Sequence, residues 1–362
     1  MIQKSILTFL SRRSIIISLF ILGLAVSCTP TTPVPTSTPT ITAQLITETP
    51  GKPTQTPTKR PTATQTLPPI GNPGNPITIG FILTPEQTNA IEAAEDLAFL
   101  VEEETGFSIE YLVYPDFQSL SIAVIDHDVD LYWLEPLEYL YLNDQRAAEV
   151  VLMTNHLGVY AYGVQFMANS MRGFTSYFDP EKSQSLSDSI TALQQFSGTR
   201  PCFISPDSIP GYLVPLGFLS DASTPTLDPV FTYSYTAMIR TLYIQGICDF
   251  GVSYALIGDP RNASDIIQTL PDAQSQVIVI WQSEGVIPNI NLSASPGLPL
   301  NIRYKLQEAF LDLPNTPEGL TLVSTALNYD VEAFKTVEDG FYDLLRSALT
   351  PLSLDLKTIT QP

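Results

Sequence analysis

Two histidines and three cysteines are all the imidazole and thiol in 362 residues, and their placement limits the chemistry this chain can run. His127 stands in Asp126-His127-Asp128-Val129-Asp130, a run of side chains of the kind that hold metals. Consecutive residues entering a strand point to opposite faces, so the run reads as a solvated turn and no metal site is expected. His156 has no partner at a useful spacing and is expected in a loop. Gly251-Val252-Ser253-Tyr254-Ala255 approaches a nucleophile elbow, but it ends in Ala and no acid–base set accompanies it. Neither catalysis nor a cofactor is expected.

What remains is binding chemistry. Tyr132, Trp133, Tyr139, Tyr160, Tyr162, Tyr212, Tyr233, Tyr235 and Tyr254 crowd the predicted strand ends and crossovers. Rings so placed close over an organic ligand or pack as ordinary core.

Those positions depend on the elements that carry them. From Ile77 the pattern is strand (77–83), helix (86–104), strand (107–114), helix (117–125), strand (129–134), helix (135–146) and strand (149–154). It then recurs as strand (200–205), helix (211–219), strand (230–233), helix (236–245) and strand (249–253). In each half an Asp opens the third strand, Asp130 and Asp249. Such alternation specifies parallel sheets flanked by helices. Residues 160–168 and 277–291 are candidate crossovers, and 298–349 is predicted helical with breaks at Pro314 and Pro317. Two lobes joined by two crossovers make a hinged clamshell. Its ligand would lie beyond the carboxyl ends of the strands.

The expected divisions are a leader (1–27), a Thr/Pro-rich linker starting at Cys28 (28–76), lobe 1 (77–163), lobe 2 (164–284), and a return to lobe 1 with C-terminal helices (285–362). Lys4, Arg12 and Arg13 precede an apolar run from Ile15 to Ala25, too short to span a membrane comfortably. Leu24-Ala25-Val26-Ser27-Cys28 resembles the lipobox of bacterial lipoproteins, with Ala25 where Leu, Val or Ile is usual. That implies lipidation of Cys28 and a location outside the cytoplasm, anchored to the cell membrane. Ser11-Arg12-Arg13-Ser14-Ile15 loosely resembles a twin-arginine export signal, and a plain basic leader accounts for the same residues. The linker is too poor in large apolar residues to fold.

The net charge of −20 conceals an asymmetry, because residues 1–76 hold six basic and one acidic side chain. The body therefore carries −25, which disfavours nucleic acid and anionic membrane surfaces as partners. A monomer is expected. With Cys28 assigned to lipid, Cys202 and Cys248 remain. Cys202 lies early in the first strand of lobe 2 and Cys248 just before the third. These strands are neighbours at one sheet end, so a disulfide is expected, with two free thiols as the alternative.

Val129-Asp130-Leu131-Tyr132-Trp133-Leu134-Glu135-Pro136-Leu137 is similar to the V-D-[IL]-x-W-x-G-P-L segment of phosphonate/phosphate-type binding proteins of ABC importers. Ser208-Ile209-Pro210-Gly211-Tyr212-Leu213 stands where that family has S-T-S-G-[YF]-L, and Val279-Ile280-Trp281-Gln282-Ser283 with Ile287-Pro288-Asn289 resembles its V-I-W-x-S…I-P-x. The resemblance implies the two-lobed type II periplasmic-binding fold, a small-molecule ligand, hinge closure and ABC permease partners. It marks Ser208, Gly211, Tyr212, Phe117, Trp133, Glu135, Tyr160, Tyr235 and Thr236 as ligand-binding candidates. Of the hydroxyls in S-T-S only Ser208 is kept, and Pro210 also lacks an N–H. Thr236 replaces a His, Ile290 an Asp, Phe117 a Tyr, and Glu135 the Gly of W-x-G-P. The fold therefore carries over and the phosphonate specificity does not. A sensor or interaction module of the same fold, uncoupled from any importer, is the alternative function.

Overall fold

A computed structural model describes residues 67–360, so the expected leader, the Cys28 anchor and most of the Thr/Pro stretch lie outside the described residues. The first half runs β1 (Ile77–Ile82), α1 (Thr88–Thr105), β2 (Ile109–Tyr114), α2 (Phe117–Ile125), β3 (Leu131–Leu134), α3 (Pro136–Asp144) and β4 (Glu149–Asn155). The long strand β5 (Ala161–Asn169) follows, then a hairpin of β6 (Phe178–Asp179) and β7 (Gln184–Ser185) and the short helix α4 (Ser189–Leu193). The second half is β8 (Pro201–Phe203), α5 (Val214–Asp221), β9 (Val230–Phe231), α6 (Tyr235–Ile244) and β10 (Phe250–Ala255). Strands β11 (Val277–Gln282), β12 (Ile287–Pro288), β13 (Asn291–Ala294) and β14 (Ala333–Thr336) complete the sheets.

The local causes are visible in the residues. Ala90, Ala93, Ala94, Leu97, Ala98 and Val101 bury one face of α1. Gly106 ends that helix in the left-handed conformation (φ 68°), returning its N–H to the Glu102 carbonyl at 2.7 Å. The Asp that opens each third strand has a structural role. Asp130 accepts from the Thr78 N–H (2.9 Å) and hydroxyl (3.0 Å), tying β3 to β1. Asp249 accepts from the Arg200 N–H (2.8 Å) and pairs with Arg172 (2.9 Å), tying β10 to β8.

One sheet has the order β14-β4-β13-β3-β1-β2, and the other β11-β5-β10-β8-β9 with β12 on β5. Each ends in a parallel trio, β3-β1-β2 and β10-β8-β9, as the alternation predicts. The remaining pairs are antiparallel, so the sheets are mixed rather than mainly parallel. The physical reason is the crossovers: a strand arriving from the other lobe enters the sheet running backwards.

Two further expectations change. Residues 68–76, read as linker, form a turn closed by Asn75 Nδ2–H to Pro68 O and bonded to the body through Ser108 N–H to Gly71 O; Gly71 and Gly74 supply the positive φ it needs. The C-terminal region read as helical contains β14, which pairs with β4 and buries Phe334. The predicted disulfide is present: Cys202 and Cys248 are bonded with Cα atoms 5.6 Å apart.

The outgoing and returning crossovers pair with each other, Tyr162 opposite Ile287 and Ala161 opposite Pro288. Their backbones nearly touch. A Cβ on Gly163 would come within 2.7 Å of the Glu284 carbonyl oxygen, and one on Gly285 within 2.6 Å of that of Ala161. The C-terminal helices then reach both lobes: Asp343–Leu349 packs on α5 and Leu356–Thr360 on α3. Gly217 makes the first of these packings possible, since any Cβ there would overlap the Ala348 carbonyl.

Candidate functional site

The residues suggesting metal or nucleophilic chemistry are spent on structure. His127 is an exposed turn residue with φ 64°. His156 stacks on Tyr329 with ring centroids 4.5 Å apart, and its Nδ1–H donates to the Asp330 carbonyl at 2.7 Å. Ser253 is fully buried and bonded to Gln165 and the Tyr254 carbonyl. Among the described residues no cluster of three or more His, Cys, Asp or Glu is placed to hold a metal ion.

The carboxyl ends of the strands carry a different set. Leaving β3, the chain turns at Glu135 and Pro136 into α3, and the Glu138 carboxylate accepts the Glu135 N–H at 2.7 Å. This is the reciprocal geometry of a helix start, and it sets two acids side by side. They line a cavity of about 160 Å³ with Phe81, Ile82, Trp133, Leu134, Ile290, Ala326 and Leu327. Trp133 is packed against Phe310 and Phe334, and its indole N–H has no partner. Glu135 keeps one side open to solvent, while the protein around it raises its carboxyl above the ordinary range. Burial, and then the negative Glu135, push Glu138 up to about 8.

Tyr162 on the outgoing crossover links this pair to the second lobe. Burial raises its phenol first, followed by the proximity of Tyr235, Glu135 and Tyr329. Tyr235 opens α6, packs edge-on against Tyr254 at 4.8 Å, and lies within hydrogen-bonding range of Ser208. Glu135, Tyr162, Tyr235 and Ser208 thus share a region formed by both lobes and the hinge. A second, open depression of about 710 Å³ adjoins it at Tyr329, between His156 and the start of α1.

The other candidates have local partners. Ser208 caps a wide π-type turn at Ile209–Leu213, in which the Leu213 N–H reaches back five residues to the Ser208 carbonyl. Its hydroxyl accepts the Gly211 N–H at 3.0 Å, so that donor is already engaged. Tyr212 sits edge-on to Phe203 and Phe231, within its own lobe. Phe117 is buried beside Tyr141 in the core. Thr236 bonds to Ser234 at 3.1 Å. Tyr160 lies on the crossover with the Lys335 ammonium 4.4 Å from its ring centre. Glu138 and Tyr329 went unselected. The E-P-x-E spacing of a reciprocal cap signals the first, whereas nothing local marks the second.

The Glu138 shift has a measurable consequence. Its carboxyl ionises near pH 4.3 in the unfolded chain but near 8 in the fold, so between those values the folded state retains a proton the unfolded state has lost. Its contribution to stability is full below the lower value and declines as pH rises to the upper one. The decline is at most ~1.4 kcal/mol per pH unit, and solvent screening at the half-buried site reduces it. Urea unfolding from pH 4.5 to 8 should show this slope in the parent. In Glu138→Gln it should be flattened, with a gain in stability at pH 8; parallel profiles would contradict the assignment.

Residues 79–342 match the family model described as ABC transporter, phosphonate, periplasmic substrate-binding protein. The phosphate-import protein PhnD of Mycolicibacterium smegmatis is 23% identical over 249 residues, 66% of this chain and 72% of that protein. A Xanthomonas citri protein solved bound to chloride ion superposes with a TM-score of 0.52 at 15% identity, over 78% of this chain and 98% of its own. The same protein solved bound to ATP gives a TM-score of 0.51 at 15% identity, over 78% and 97%.

Proposed function

That the chain belongs to the phosphonate family of periplasmic substrate-binding proteins of ABC transporters is the premise from which we propose its function: a lipid-anchored receptor, outside the cytoplasm, that delivers a small molecule to an importer by hinge closure. The observation that carries this reading is the polar and aromatic set at the carboxyl ends of the strands, contributed by β3, the hinge and α6 together. A solute held there touches both lobes, so it favours the closed arrangement by its extra contacts in that state.

The solute in this reading is not phosphate or a simple phosphonate. A tetrahedral anion needs converging donors, and each unreplaced water hydrogen bond costs about 1–3 kcal/mol. Here the Gly211 N–H is engaged by Ser208, Pro210 has none, and Glu135 opposes negative charge. Small-angle scattering of the purified body tests the reading. A copurifying or added solute should reduce the radius of gyration, while millimolar phosphate and methylphosphonate should leave it unchanged. Closure on either anion defeats the exclusion of phosphate and phosphonate, and closure on no solute recovered from the protein's own host defeats the receptor reading. Anchoring is tested separately: Cys28→Ala should move the protein from the membrane fraction to the soluble one.

A further inference from the structure

We infer that the cleft takes an organic cation, an aliphatic ammonium with a hydrogen-bond acceptor near its charge, seated between Glu135 and Glu138. This rests on the receptor reading above and names the class of its ligand. Three observations converge on it.

The first is an unbalanced pair of acids. Glu135 and Glu138 line one cavity at the carboxyl ends of β1 and β3, whose other walls are nearly all apolar. Every ion pair among the described residues lies elsewhere, so no Lys, Arg or His answers either carboxylate. Two neighbouring carboxylates at an apolar wall, Glu138 half-buried and Glu135 with one side in solvent, ionise together less readily without a counter-charge. A cation supplies that charge, and an anion adds to the repulsion. The burial-driven rise of both carboxyls agrees with this account.

The second is the indole of Trp133. This residue is 4% exposed, lines the same cavity, and keeps an N–H that nothing in the protein accepts. A buried donor left unpaired is costly, and an acceptor on the ligand satisfies it. The third is the tyrosines. Tyr162 and Tyr329 lie near Glu135, and Tyr235 lies near Tyr162; aromatic faces attract ammonium groups, most strongly where water is excluded. Lys335, held 4.4 Å from the ring centre of Tyr160 and 4.2 Å from that of Phe341, shows the same chemistry at the hinge.

The cavity of about 160 Å³ sets the scale: room for the charged end of a small amine, with the remainder extending toward the tyrosines. The test is calorimetry and small-angle scattering on the purified body with ethanolamine, choline and putrescine. The comparison set is 3,3-dimethylbutanol (the neutral carbon analogue of choline), phosphate and methylphosphonate. At least one ammonium probe should bind 100-fold more tightly than the neutral analogue, and Glu135→Gln and Glu138→Gln should each weaken it tenfold or more. Both substitutions keep side-chain shape, and Glu138→Gln removes a half-buried acid, so folding is retained. Closure on the neutral or anionic probes alone overturns the cation assignment and leaves a receptor. Ammonium binding unchanged in both variants overturns the seat. No binding of any ammonium probe overturns the inference, and scattering with solute recovered from the host then tells whether the receptor reading survives.

Discussion

A methyl group at Gly217 is expected to cost the protein about 3 kcal/mol or more and to lower its melting temperature by roughly 5–10 °C. The neighbour it would strike is the backbone carbonyl of Ala348, which has no flexible tip to turn aside. To admit the Cβ, α5 must part from the helix Asp343–Leu349, along a seam that also buries Val214, Leu345 and Leu349. The penalty is therefore overpacking plus the apolar burial given up as the helices separate. Gly340→Ala is the control. Its backbone is not left-handed and its nearest neighbour is the Asp343 side chain at 3.7 Å, so its effect should stay within about 0.5 kcal/mol. Equal melting of Gly217→Ala and the parent would show that the two helices are not held as described.

Reduction of the Cys202–Cys248 bond comes next in size. The bond closes a loop with a sequence separation of 46, and its removal returns that loop's freedom to the unfolded chain. Loop-closure entropy on this scale corresponds to about 4 kcal/mol. Both cysteines are nearly fully buried, so the reduced thiols still pack as small apolar groups and the fold itself should persist. Chemical unfolding with and without reductant should reveal the loss, and a Cys202→Ser/Cys248→Ser variant should lose at least as much while no longer responding to reductant. A parent protein indifferent to reductant would refute the prediction.

How far the chain could be read in advance depended on what each feature depends on. The parallel trios follow from local periodicity, and the Asp130/Asp249 repeat follows from a task done twice, bonding the backbone at the start of a neighbouring strand. The disulfide was legible because strand adjacency follows from the same alternation. β14 was not, since its pairing with β4 joins residues far apart in sequence and its four residues offer little period of their own. At the site, Glu135 and Tyr235 were among the residues that the family resemblance marked, and the structure brings them near Tyr162. Phe117 and Tyr212 stood out equally and face their own lobes instead, because the side a ring turns to is decided by neighbours such as Tyr141 and Phe231. Tyr329 is brought in by the C-terminal return, which no local pattern announces.

The paired crossovers set the leverage with which a solute can act. The Val286 N–H bonds to the Tyr162 carbonyl at 2.9 Å and the Asn289 N–H to that of Tyr160 at 3.1 Å, so the two chains form a narrow ribbon. Gly163 and Gly285 let its edges run side by side, with no side chain wedged between them. In the hinge closure proposed above, this ribbon is the element about which the lobes would turn. Tyr162 is part of that axle. On the receptor reading, a solute lodged against it would sit beside the axis of closure, where a small displacement accompanies a larger one at the lobe tips.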